Sequence, residues 1–116
     1  MRPKLLILED DESLDNLYEE TFKNAGYEVV ACTRFEDARA SLKRQLPDVL
    51  LTDVRVGDFN GLQLAHLFRM QAPTGRIVVI SGYDDPVIQR DAEALGATFL
   101  LKPIDLPQLV ARLRAE

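Results

Sequence analysis

The stretch Leu5-Leu6-Ile7-Leu8-Glu9-Asp10-Asp11-Glu12 joins an apolar run directly to four consecutive acids. A run this short suits a strand better than a helix, and its lack of alternation means that both faces are covered, as in a parallel sheet between helices. Working outward, the pattern recurs. The second run, from Tyr27 to Cys32, is interrupted by Glu28. The third is Val49-Leu50-Leu51, the fourth Ile77-Val78-Val79-Ile80 and the fifth Thr98-Phe99-Leu100-Leu101. Each is rich in residues that favour strands and is bounded by turn formers.

The segments between the runs have helical spacing. Leu14, Leu17, Tyr18, Phe22 and Ala25 fall on one face of a first helix that Gly26 closes. Thr33-Arg34-Phe35-Glu36 reads as a capping box opening a second helix. Phe35, Ala38, Leu42 and Leu46 line that helix, and Pro47 ends it. A third helix opens after Asn60-Gly61 and carries Leu62, Leu64, Ala65 and Phe68. A fourth starts at Asp85-Pro86, a capping residue with proline at the first helical position, and stops at Gly96. The fifth starts near Asp105 and carries Leu106, Leu109, Val110 and Leu113. Strict β–α alternation predicts an α/β fold: a flavodoxin-like (βα)5 doubly wound parallel sheet with strand order 2-1-3-4-5.

Composition narrows the function classes. The chain has 116 residues, which predicts a single domain over residues 1–116 with no linker or repeat. One cysteine, Cys32, excludes an internal disulfide and a cysteine zinc site, and one histidine, His66, excludes a two-histidine metal motif. A net charge of −5 argues against a surface that holds nucleic acid. No run approaches the ~20 apolar residues of a membrane span. The Met1-Arg2-Pro3-Lys4 start leads straight into a strand and is not expected to be a signal peptide. The reducing cytoplasm is the expected compartment.

In an open α/β sheet, ligands bind beyond the carboxyl ends of the strands, where the strand order reverses. The first strand is followed there by Glu9, Asp10, Asp11 and Glu12, the third by Thr52 and Asp53, the fourth by Ser81 and Gly82, and the fifth by Lys102 and Pro103. Each element alone has an ordinary explanation: a helix N-terminus for the acids, a loop carboxylate for Asp53, a cap for Ser81, a surface lysine for Lys102. Together they converge from four strand ends. Two carboxylates ~5 Å apart repel by roughly 3 kcal/mol at an effective dielectric near 20. Glu9, Asp10 and Asp53 against Lys102 leave a formal charge of −2, which a divalent cation neutralises. An all-oxygen donor set selects Mg²⁺ or Mn²⁺. Lys102 and Ser81 then have phosphoryl oxygens to engage, and Asp53 is a candidate nucleophile that would become an aspartyl phosphate.

These residues resemble the receiver domain of bacterial two-component response regulators. The resemblance is carried by Leu6-Ile7-Leu8-Glu9-Asp10-Asp11, Leu51-Thr52-Asp53-Val54-Arg55, Asn60-Gly61-Leu62, Ile80-Ser81-Gly82 and Leu101-Lys102-Pro103-Ile104, and covers essentially the whole chain. It implies that Asp53 accepts a phosphoryl group from a sensor histidine kinase or a phosphotransfer protein of a relay. It implies that Glu9 and Asp10 form the acidic pair, with Asp10 the more direct metal ligand and the Arg55 carbonyl another. It implies that Lys102 pairs with the phosphoryl group, that a cis peptide precedes Pro103, and that Ser81 and Phe99 switch. The fourth helix, fifth strand and fifth helix would change shape on phosphorylation to control an output domain or target, and could form a homodimer. The first helix, near Leu14 and Tyr18, would dock the kinase. Such a protein is not a conventional enzyme; it catalyses its own phosphorylation and dephosphorylation.

The chain departs from the family where a Met-Pro pair usually follows the acceptor aspartate. Here Val56-Gly57 stands, and a looser loop is expected. Asp11 also leaves open which acids bind metal. Arg55 and Tyr83, two residues past Asp53 and Ser81, are bulky and predict a long-lived phosphoform. Three other readings stand beside this one. A phosphatase-type enzyme with an aspartyl nucleophile would want a second acid where Arg55 sits. A flavin mononucleotide module would meet four repelling acids. A receiver that binds partners without phosphorylation would not need Asp53, Ser81 and Lys102 together.

Overall fold

In the computed structural model, which describes residues 1–115, β1 (Lys4–Leu8), β2 (Glu28–Cys32), β3 (Val49–Asp53), β6 (Arg76–Ser81) and β7 (Thr98–Leu101) form one parallel sheet in the order β2-β1-β3-β6-β7. This is the 2-1-3-4-5 winding that β–α alternation predicts. Two further strands, β4 (Arg55–Val56) and β5 (Phe59–Asn60), pair antiparallel in a separate ribbon that the sequence reading lacks. The C-terminal residue, Glu116, lies outside the described part of the expected 1–116 domain.

Side chains alternate across the sheet, so each strand feeds two cores. Leu6, Leu8, Leu50 and Val79 pack with Ala38, Leu42, Leu64, Ala65 and Phe68 of α2 (Phe35–Arg44) and α3 (Gly61–Gln71). Leu5, Ile7, Leu51, Val78 and Ile80 pack with Tyr18 and Phe22 of α1 (Glu12–Asn24) and Leu109 and Leu113 of α5 (Leu106–Ala115). The fourth helix, α4 (Pro86–Ala94), buries Ala92 fully and packs Ile88 partly buried against the first of these cores.

Short polar residues start the helices. Asp11 accepts a hydrogen bond from the Leu14 amide at 3.1 Å, Asn60 from Leu62 at 2.8 Å, Asp85 from Val87 at 2.9 Å, and Asp105 from Gln108 at 3.0 Å.

Four local expectations need correction. The capping box at Thr33 does not form: α2 begins at Phe35, its N-cap is Arg34, and no side chain caps it. With Phe35 in the first helical position, Thr33 sits one residue too early to reach the third helical amide. Leu46 is exposed, because α2 ends at Arg44 and Pro47 keeps the residue before it out of the helical conformation. Leu17 is exposed and Asp15 is buried instead. At ~100° per residue Asp15 stands only about 60° from the inward Tyr18, whereas Leu17 stands about 100° away on the flank. Finally, the loop after Asp53 closes as the β4–β5 ribbon. Val56 is buried, Gly57 takes φ +58°, and Phe59 stacks on Phe35 with ring centroids 4.7 Å apart. Glycine fits that left-handed turn without a Cβ penalty.

Candidate phosphoacceptor and cation site

Hydrogen bonds that continue the sheet past its strands align the carboxyl edge. The Glu9 amide donates to the Cys32 carbonyl at 3.1 Å, the Val54 amide to Ile80 at 3.0 Å, and the Lys102 amide to Ser81 at 2.8 Å. These bonds tie the end of β1 to β2 and the ends of β3, β6 and β7 to one another, and they bring Glu9, Asp53 and Lys102 into direct contact.

Lys102 is the hub. Its Nζ lies 2.6 Å from Glu9 Oε1 and donates to Asp53 Oδ2 at 3.0 Å. The other Glu9 oxygen, Oε2, accepts the Asp11 amide at 3.1 Å. Glu9 is 0% exposed and Asp53 5%, so the carboxylates of this bridge are shielded from water, while Lys102 is partly exposed and Asp10 stands in solvent at the rim. Burial pushes the Glu9 carboxyl well above the ordinary carboxylate range, against the pull of Lys102 and of the Asp11 amide. Burial alone would lower the Lys102 ammonium. Its bonds to Glu9 and Asp53 outweigh burial and push it up, so it stays charged.

Carboxylate oxygens of Glu9, Asp10 and Asp53 lie within 4.8 Å of one another. Oxygen-only donors, one of them in solvent, suit a hard divalent ion that keeps part of its water shell. Asp11 is not among these three; its side chain is committed to capping α1. The ribbon adds a contact that no spacing rule reveals: the Gly57 amide donates to Asp10 Oδ2 at 3.4 Å. A Met-Pro pair in this loop would lack that donor, because proline has no amide hydrogen.

Ser81 is the last residue of β6 and is 2% exposed. Its hydroxyl donates to the Tyr83 carbonyl at 3.0 Å and accepts the Tyr83 amide at 3.0 Å. Val79 pairs with Phe99, so by the two-residue alternation Ser81 and Phe99 occupy the same face of the sheet. Phe99 is half-buried against the α2–α3 core. The Lys102–Pro103 peptide is cis. Arg55 is exposed, and its guanidinium carbon sits 4.2 Å from the centroid of the Tyr83 ring. Sequence spacing singles out both residues without showing that they touch.

Arg55 begins the ribbon and Gly61 closes it. The Gly61 amide donates to the Val54 carbonyl at 2.6 Å, and the Thr52 hydroxyl donates to the Asp53 carbonyl at 2.9 Å. A Cβ on Gly61 would overlap that Asp53 carbonyl, so only glycine lets α3 start this close to the end of β3.

The response regulator receiver domain family matches residues 5–114. The phosphate regulon transcriptional regulatory protein PhoB of Rhizobium meliloti is 30% identical over 99% of the chain and 52% of its own length. The chain spans about a quarter to a half of the length of the curated transcriptional regulators it matches. Among solved structures, the chemotaxis response regulator CheY4 of Vibrio cholerae aligns over 99% of this chain and 98% of its own, at 25% identity and a TM-score of 0.86. A Burkholderia pseudomallei response regulator, solved with a phosphorylated aspartic acid, a calcium ion and citrate, shares the fold at 21% identity and a TM-score of 0.85, over 97% of this chain and 71% of its own. With the family match spanning residues 5–114 and a fold shared with both structures, this chain belongs to the response regulator receiver domain family.

Proposed function

We propose that Asp53 is the phosphoacceptor of this receiver domain, taking its phosphoryl group from the phosphohistidine of a sensor histidine kinase or phosphotransfer protein. The observation that carries this reading is the Lys102 bridge between the buried Glu9 and Asp53 beside the solvent-facing Asp10. Glu9, Asp10, Asp53 and the Arg55 carbonyl would hold Mg²⁺, or Mn²⁺. Such an ion offsets charge on the carboxylates and on the transferred phosphoryl oxygens.

In the transfer, Lys102 holds Asp53 Oδ2 and leaves the other carboxylate oxygen to attack phosphorus. The new bond is O–P; the bond broken is N–P, and its electron pair returns to the donor imidazole. Lys102 then pairs with a phosphoryl oxygen, and Ser81 donates its hydroxyl proton to another. Little else is needed, since phosphoryl transfer depends chiefly on positioning and electrostatic stabilisation. Movement of Ser81 frees space on the face it shares with Phe99, and Phe99 shifts into it. That shift changes the surface of α4, β7 and α5, where Val87 and Leu101 are already exposed, and biases an output domain, a target protein or a second copy of the chain. The α1 surface by the partly buried Leu14 and the exposed Leu17 would receive the kinase; Tyr18, expected there from the sequence, is buried in the core. The relatives' printed roles in transcription make a DNA-binding output module the favoured partner, with the acidic receiver itself off the DNA. A cytoplasmic location fits this pairing. No helix among the described residues is long and apolar enough to cross a membrane.

Incubation with Mg²⁺ and acetyl phosphate, followed by intact-mass measurement, tests the assignment. Wild type should gain one phosphoryl group and Asp53→Asn none. An equal gain in both removes Asp53 as acceptor.

A further inference from the structure

Ser81 brings one hydroxyl proton to the site, and that proton is already engaged. The hydroxyl donates to the Tyr83 carbonyl and accepts from the Tyr83 amide, closing a tight turn in which one residue satisfies it in both directions. To hydrogen-bond a phosphoryl oxygen as donor, Ser81 must give up the Tyr83 carbonyl. How readily it does so depends on what holds Tyr83 in place.

Tyr83 is 56% exposed, and little core packing restrains it. Its ring instead lies under the Arg55 guanidinium, 4.2 Å from ring centroid to guanidinium carbon. Arg55 is anchored in turn: it pairs with Asn60 in the ribbon, and its neighbour Val56 is buried. A chain of contacts therefore runs from the ribbon beside Asp53, through Arg55 and the Tyr83 ring, to the main chain that occupies the Ser81 hydroxyl. We infer that Tyr83, braced by Arg55, is a positioning residue that holds the Ser81 hydroxyl in its resting arrangement and sets how readily Ser81 turns to a phosphoryl group. The inference rests on Asp53 being the phosphoacceptor.

On this inference the brace favours the resting state, so loosening it should favour the phosphoryl-engaged arrangement. An exposed cation–π contact is worth a two- to fivefold change in an equilibrium of this kind. Tyr83→Leu keeps an apolar side chain, though a smaller one, and removes the π face while leaving the Arg55 charge in place. Tyr83→Phe keeps the ring. Both changes are at an exposed side chain, so the fold is not at stake.

The experiment titrates the full chain, with Mg²⁺ present, with beryllofluoride, an unreactive stand-in for a phosphoryl group, followed by fluorine NMR. Tyr83→Leu should bind roughly threefold more tightly than wild type, and Tyr83→Phe should match wild type. Without beryllofluoride, the residue 83 amide, which donates to Ser81, should exchange its hydrogen faster in Tyr83→Leu than in wild type. Unchanged or weaker binding by Tyr83→Leu, or identical behaviour of the Leu and Phe variants, would overturn the positioning role while binding that needs Asp53 leaves the acceptor assignment intact. Wild type that binds no better than Asp53→Asn would overturn both.

Discussion

Lys102 holds two carboxylates at once, and that double grip explains why three acids can gather at one strand edge. Removing the ammonium would leave buried Glu9 and Asp53 facing each other without compensation. On the proposed reading, the exposed Asp10 is where an incoming cation would first find the site. Two residues past Asp53 and Ser81 stand two bulky side chains, Arg55 and Tyr83, which stack on each other. A bulky pair so close in the chain to both residues is expected to hinder a water molecule lining up on an aspartyl phosphate. The phosphoform should therefore decay slowly. Following loss of the phosphoryl group by intact mass after removal of the donor gives the lifetime, and a half-life of seconds would count against shielding.

Among the elements, α3 is the most tightly constrained. It starts at Gly61, directly against the Asp53 and Thr52 end of β3, and its other end leaves Gly75 packed against the Phe68 ring. The Asp53 carbonyl that a Cβ on residue 61 would strike is main chain and cannot swing away. Gly61→Ala should therefore destabilise the domain by about 1–3 kcal/mol, the usual cost of overpacking, and should slow phosphorylation by displacing Asp53. Thermal unfolding and the rate of phosphorylation by acetyl phosphate measure the two effects. A variant with wild-type melting and rate would show that α3 shifts freely. The β4–β5 ribbon is the contrasting element. Local rules favour a loose Val56-Gly57 loop, but Phe59 finds Phe35 on a different element and pins it.

For the molecule as a whole, the least settled charge is Asp15. It is 4% exposed on α1, and its Oδ1 lacks a hydrogen-bond partner among the described residues. Burial, then the nearby Glu19 and Glu12, push its carboxyl up to about 7 from a model-peptide value of 3.8. Cys32 on β2 is affected in the same way, its thiol pushed up to about 11 by burial and then by Asp37 and Asp15. A carboxyl raised on folding binds its proton more tightly in the folded state. Its stabilising contribution is complete below the unfolded pKa near 4 and is lost as pH rises toward about 7. Asp15→Asn removes this ionisation. Its melting temperature should exceed that of wild type at pH 8, and the gap should narrow as pH falls and close only below about pH 4. A gap that is constant with pH would show that Asp15 ionises normally.

The sequence by itself determined the alternation of five strands with five helices, the winding order and the identity of the residues at the carboxyl edge. These follow from local periodicity and from the rule that parallel crossovers leave their loops at one end. Glu9, Asp10, Asp53, Ser81 and Lys102 were all legible in that way. Only the tertiary structure decided which groups touch. Lys102 bridges Glu9 and Asp53, Asp11 serves as a cap instead of joining the acids, Ser81 is held by Tyr83, and Arg55 lies over the Tyr83 ring. The reason is physical: a hydrogen bond or ring contact is settled within a few tenths of an ångström by packing between segments far apart in the chain. Periodicity fixes which face and which end of an element a side chain occupies, but not the partner it meets there.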